Sequence, residues 1–296
     1  MIKRGELIMI LNTLTLGFIF ALLGFGIFLS FKILNFTDLT AEASFTLGGA
    51  IAVMCCQNNL SFLGILLSFI GGAGAGTITA LLHTKLHIDK VLAGILTLTA
   101  FYTINLWVTG LDPNMSLDKK TLTIFPRNND IASLFIAIGI VVLVGILLFL
   151  FFKTKTGLSV RACGDNETMI ETQGVNIDNL NIIGLALSTG LIALSGALFM
   201  EQQRYYDSSF GTGMMVVGVA TIIMGESLIR FRHSLPFMLL AISLGSIIYR
   251  FIYILVLQLG GEPTTMKLIS ALCLVICICL SKIKFKKKVN HNAYVK

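Results

Sequence analysis

Apolar runs of roughly 17 to 25 residues, parted by short polar stretches, recur along the whole chain. That length matches a helix crossing a bilayer. The strands of a membrane barrel would be half as long and alternate in polarity, which these runs do not. The pattern predicts spans over 7–31, 39–56, 60–82, 91–109, 131–152, 180–200, 214–224, 235–259 and 265–280. The expected fold is therefore all-α: a polytopic membrane protein of about nine transmembrane helices, a single transmembrane domain over residues 1–296. Run 214–224 is only marginally long enough to cross, so one or two short, broken or re-entrant helices are expected. Run 39–56 opens with Thr40, Glu42, Ser44 and Thr46, and a carboxylate there should face protein or water.

The longest polar interruption is 153–179. It carries Lys153, Lys155 and Arg161, then a short helix over about 166–173. Asp165 is the expected N-cap, and Gly174 stands where a helix closes in the left-handed conformation. So short a helix is unstable alone and needs something to dock against, which points to a soluble partner.

The chain also resembles itself. Residues 12–54 begin NTLTLGFIFALLGFGIFL and end SFTLGGAIAVM, while 181–224 begin NIIGLALSTGLIALSGAL and end SFGTGMMVVGVATIIM. This predicts a first repeat unit over 12–109, a linking span 131–152, the polar loop 153–179, a second unit over 181–280 and a basic tail 281–296. One odd span between the units makes them inverted, an arrangement that places a solute path at their interface.

Composition narrows the class. Hydrophobic residues make up 55% and charged ones 12%, against about 25% charged in soluble domains. The net charge of +7 lies in short loops and the tail, so topology explains it and nucleic acid is not implied. With the lysine-rich tail inside, loop 153–179, Arg230, Arg232 and Lys32 fall on the same side, leaving an external N-terminus that bears Lys3 and Arg4. The six cysteines lack zinc spacing and read as packing residues, and no cleavable signal is evident. His83 and His87, four apart, read as interfacial anchors; Gly72 and Gly76 read as a close helix contact, not a dinucleotide loop.

The polar turn NFTDLTAEASFTLGGA and the loop RACGDNETMIETQGVNIDNL resemble the permease subunits of bacterial ABC importers, in the branch that holds the branched-chain amino-acid and ribose permeases. LLHTKLHIDKVLAGILTLTAFYTINL and GVATIIMGESL resemble a subgroup associated with aromatic amino-acid binding proteins. The resemblance covers nearly the whole chain. It implies a multi-pass protein of the bacterial plasma membrane that carries an amino acid or related small solute. It also implies a coupling helix around Gly164, Asp165, Asn166 and Gly174, with Glu167, Thr168, Met169, Ile170 and Glu171 contacting a cytoplasmic ATPase. Further implied partners are an extracytoplasmic binding protein and a second permease copy or sister permease. No phosphate-binding GxxxxGK[ST] occurs, so no cofactor is expected and ATP belongs to the partner.

Path candidates are Glu42, Tyr102, Asn105 and Arg250. Each has a plainer reading: a backbone hydrogen bond for Glu42, interhelical bonding for Tyr102 and Asn105, and pairing with a carboxylate or snorkelling for Arg250. The rival function is a stand-alone secondary transporter or channel, which would need partnered ionisable groups across the repeat interface and no docked helix. A membrane enzyme is third, since no acidic pair, Ser-His set or metal-ligand set occupies a polar loop.

Overall fold

The computed structural model describes residues 2–118, 121–126, 129–228, 234–258 and 275. Apolar helices form wherever the run is long enough to satisfy its own backbone. In order they are α1 (Ile2–Ile27), α2 (Thr40–Gln57), α3 (Ser61–Leu86), α4 (Lys90–Val108), α5 (Asp130–Lys153), α6 (Lys155–Asp165), α7 (Glu167–Thr172), α8 (Ile177–Gln203), α9 (Met214–Leu228) and α10 (Leu235–Gln258). Two three-residue strands, β1 (Asn114–Ser116) and β2 (Tyr205–Asp207), pair antiparallel with Asn114 opposite Asp207.

Among the described residues, six helical stretches are long and apolar enough to cross a membrane: Glu6–Ile33, Ser61–Leu86, Lys90–Val108, Asp130–Lys153, Ile177–Gln203 and Leu235–Gln258. At 1.5 Å per residue, α9 reaches only about 22 Å, short of a bilayer core of about 30 Å. The ninth expected span, 265–280, lies outside the described residues apart from Val275, as do the basic tail and Arg230 and Arg232.

The polar gap between the expected spans 7–31 and 39–56 is instead a widened helical turn and a break. Helix α1 runs on as a π-helical turn, Phe28–Ile33, in which the Leu34 amide donates to the Leu29 carbonyl at 3.0 Å. Asn35 then takes a left-handed φ of 50°, and α2 starts afresh at Thr40. The Asp38 carboxylate restarts it by accepting from the Thr40 amide at 2.8 Å.

Helix α8 is the hub, packed on α1, α2 and α3. Small residues permit the approach: a side chain at Gly72 or Gly76 would collide with Thr189, Ala193 or the Leu185 carbonyl of α8. Helix α5 is mostly exposed, as its uniformly apolar sequence leads one to expect. Helix α10 turns Leu240, Leu244, Ile248, Phe251 and Leu255 outward, one stripe three or four residues apart.

The bundle has two ends. At one, Lys85 Nζ of α3 lies 3.1 Å from Asp178 of α8, and Lys32 pairs with Glu226 of α9. At the other, Gln202 donates to Asn12 at 3.1 Å, Gln258 donates to the Met9 sulfur, and the β-ribbon closes the surface.

Candidate functional site

Helices α6 and α7 project at the first end. Thr154 caps α6, its hydroxyl accepting from the Gly157 amide at 3.2 Å. The cap of α7 is Asn166, whose Oδ1 accepts from the Met169 amide at 3.2 Å and the Thr168 hydroxyl at 2.7 Å. The expectation of Asp165 is corrected by one residue: Asp165 closes α6, and only Asn166 has the extended backbone of a cap. Gly174 has the left-handed φ of 77° expected of it.

The contacting set also needs one correction. Glu167, Thr168, Met169 and Glu171 are exposed, but Ile170 is buried and anchors α7 to the bundle. Gly164 is half-buried and packs closely against the bundle, because a side chain there would strike the Ile33 carbonyl at the end of the π turn. The helix pair therefore rests directly on the break between α1 and α2. Cys163 faces inward beside it; burial pushes its thiol pKa up, the Glu167 charge adding and Lys90 opposing. That makes it a packing thiol and not a reactive one.

Lys90, the first residue of α4, ties α7 back to the bundle. Its Nζ lies 3.2 Å from Glu167 Oε1 and 5.7 Å from the Phe36 ring centroid, so α7, α4 and the break meet through one side chain.

The four path candidates do not form one site. Glu42, in the first turn of α2, accepts from the Gly213 amide at 2.9 Å, just before α9 begins. It thus joins the starts of the two shorter helices. Asn105 is buried and donates to the Ala43 carbonyl at 3.3 Å, an interhelical bond. Tyr102 is exposed on α4, with Thr99 and Thr103 beside it. Arg250 lies inside the bundle, its guanidinium carbon 4.8 Å from the Phe20 ring and 5.0 Å from the Tyr253 ring. It is neither paired with a carboxylate among the described residues nor turned to the surface. Glu226, near the end of α9, pairs with Lys32. His83 bonds the Ile88 carbonyl at 2.7 Å and so closes α3, and no metal-ligand group occurs among the described residues.

Two buried carboxylates escaped the sequence reading. Asp38 was passed over inside a turn, although an Asp two residues before a helical run is a capping signal. Glu201, wholly buried, accepts from the Ile124 amide at 2.8 Å and ties α8 to the loop between α4 and α5.

Comparison with known proteins decides what this helical bundle with a capped helix pair at one end serves. The family described as "Branched-chain amino acid transport system / permease component" matches residues 9–279. The chain belongs to that family. A tyrosine transport system permease protein of Clostridioides difficile is 34% identical over 280 residues, covering 94% of this chain and 93% of that one. An uncharacterised protein of Rickettsia prowazekii is 29% identical, covering 88% and 92%. An autoinducer 2 import system permease protein of Yersinia enterocolitica matches over 55% of this chain and 45% of its own length at 27% identity. Among solved structures, PsaBC from Streptococcus pneumoniae in complex with Fab superposes with a TM-score of 0.50 at 15% identity, covering 90% and 88%. That likeness speaks for the fold alone. The chain is a multi-pass transport permease component, not a catalytic subunit.

Proposed function

We propose that this permease is the membrane half of an ATP-driven importer that takes up an amino acid, with α7 as the element an ATPase subunit grips. The observation that carries the reading is α7 itself. It is capped by Asn166, pinned by Ile170, exposed along Glu167, Thr168, Met169 and Glu171, and seated on the α1–α2 break. A lever needs a rigid grip and a soft joint, and here they touch. The amino-acid assignment leans on the family and on the relative named for tyrosine transport.

The same reading makes the α7 end cytoplasmic. Met9 and Asn12 contact Gln258 and Gln202 at the opposite end, so on this reading the N-terminus is outside with the β-ribbon, where a substrate-binding protein would dock. The bond from Gly213, just before α9, to Glu42 in the first turn of α2 supports an inverted pair, since α2 and α9 leave that contact toward opposite ends. A second permease copy, or a sister permease, is the partner we assign to α4. Its exposed Thr99, Tyr102 and Thr103 would be poorly served by lipid.

The test is co-purification of the full chain with its ATPase subunit. Replacing Glu167, Thr168, Met169 and Glu171 together with alanine should abolish capture and ATP-dependent uptake while leaving membrane insertion intact. Uptake that persists after ATP depletion would overturn the proposal.

A further inference from the structure

Arg250 is the least explained residue of the bundle. It lies within α10, well inside the crossing stretch Leu235–Gln258, with 6% of its surface exposed and its Nε without a hydrogen-bond partner. Of the 15 acidic residues, all but Glu262 fall among the described residues, and none forms an ion pair with Arg250. Its recorded neighbours are rings: Phe20 at 4.8 Å and Tyr253 at 5.0 Å. Ring faces attract a cation but do not replace the counter-ion of a charge held in hydrocarbon. Among the described residues, the site is short of an anion.

The rings continue past Arg250. Phe20 is 5.6 Å from Phe199 and 6.4 Å from Phe45; Phe199 is 5.3 Å from Phe210, and Phe210 is 5.6 Å from Tyr205. Tyr205 belongs to the β-ribbon and is exposed. A file of aromatic side chains thus leads from the ribbon surface inward to the guanidinium.

We propose that Arg250 is the carboxylate-binding residue of the permeation path, and that its ligand is an α-amino acid with an aromatic side chain. The solute's carboxylate supplies the missing anion, as a charge-assisted pair with the planar guanidinium fork. Its ring exchanges contacts with the Phe20, Phe199 and Phe210 file. One guanidinium among rings suits the single carboxylate of a ring-bearing solute. This rests on the importer reading above but can fail without it.

The experiment uses the purified full chain in lipid nanodiscs, with radiolabelled L-tyrosine as probe and no ATPase or binding protein present. Wild type should bind label that unlabelled L-tyrosine or L-phenylalanine displaces and that tyramine, which lacks the carboxylate, does not. Arg250→Gln should weaken binding roughly ten- to a hundredfold, with Arg250→Lys in between. Glu262→Gln should bind as wild type does. Equal displacement by tyramine, an Arg250→Gln affinity matching wild type, no binding by wild type, or a loss on Glu262→Gln equal to that on Arg250→Gln would each overturn the proposal. The tyramine comparison needs only wild type, so it decides even if the Gln variant misfolds. Uptake that remains ATP-dependent in that case leaves the importer reading standing; ATP-independent uptake removes that reading instead.

Discussion

The two ends of the bundle are held together by different physics. At the α7 end the long-range polar links are ion pairs: Lys32 with Glu226, Lys85 with Asp178 and Lys90 with Glu167, all with partly exposed side chains. At the ribbon end the links are hydrogen bonds, and three of them are partly buried. Glu201 holds the Ile124 amide, Arg204 donates to the Thr123 hydroxyl at 2.7 Å, and Ser61 donates to the Leu122 carbonyl. Exposed ion pairs contribute about 0–1 kcal/mol each and can re-form with new partners. A buried donor stripped of its acceptor costs about 1–3 kcal/mol. One end is built to be remade, the other to stay closed.

The sharpest way to break that contrast is at Glu201. Glu201→Ala leaves the Ile124 amide without its acceptor and opens space beside α8, so the protein should lose about 1–3 kcal/mol of stability. Glu201→Gln keeps an acceptor oxygen and should lose much less. Thermal unfolding of the two variants in detergent checks this, and equal midpoints would show that the bond does not secure the ribbon end.

Asn166→Ala comes next, at the opposite end. Removing the cap of a six-residue helix should cost about 1 kcal/mol locally. Global unfolding should barely register it, because α7 frays by itself. ATPase capture should weaken by about fivefold, while a binding-protein contact at the ribbon end is untouched. A drop in global stability larger than that of Glu201→Ala would invert the comparison.

How much of this was legible follows the same division. The long helices could be read because run length alone commits the backbone to internal hydrogen bonds. Helix α7 could be read because its caps are local: an Asn before it and Gly174 after it, with an error of one residue between Asp165 and Asn166. The π turn and the break at Asn35 carry no Pro or Gly to announce them; they form where the Ile33 carbonyl meets Gly164, a contact far away in sequence. The ribbon strands are three residues each, too short for an alternating pattern to register. The cost of Arg250 was visible from its apolar neighbours, but the rings that surround it come from α1 and α10 together. Path residues were the least legible, because Glu42, Asn105, Tyr102 and Arg250 face four different surroundings.

Tyr206 offers a smaller test with the opposite sign. Its hydroxyl is buried at the ribbon end without a hydrogen-bond partner, and burial pushes its pKa up, Asp207 and Tyr102 adding to the effect. Tyr206→Phe removes the unsatisfied oxygen and keeps the ring against Gly49. The variant should match or exceed wild-type stability by up to about 1 kcal/mol, read by the same thermal melt. A clear loss would mean that this hydroxyl is bonded in the working protein.

The weakest effect belongs to Lys85→Ala. Its ammonium and the Asp178 carboxylate are both well hydrated, so the pair should contribute less than about 0.5 kcal/mol to stability, and less again as salt screens it. The pair nevertheless fixes the end of α3 to the start of α8, the hub that follows α7 in the chain. If the α7 end moves during transport, such a pair tunes how readily it moves more than how firmly the protein is folded. Lys85→Ala should therefore leave the melt unchanged and alter the salt dependence of ATP-driven uptake. A melting shift as large as that of Glu201→Ala would mean that the two ends are held alike, and the division between a mobile end and a closed one would fall with it.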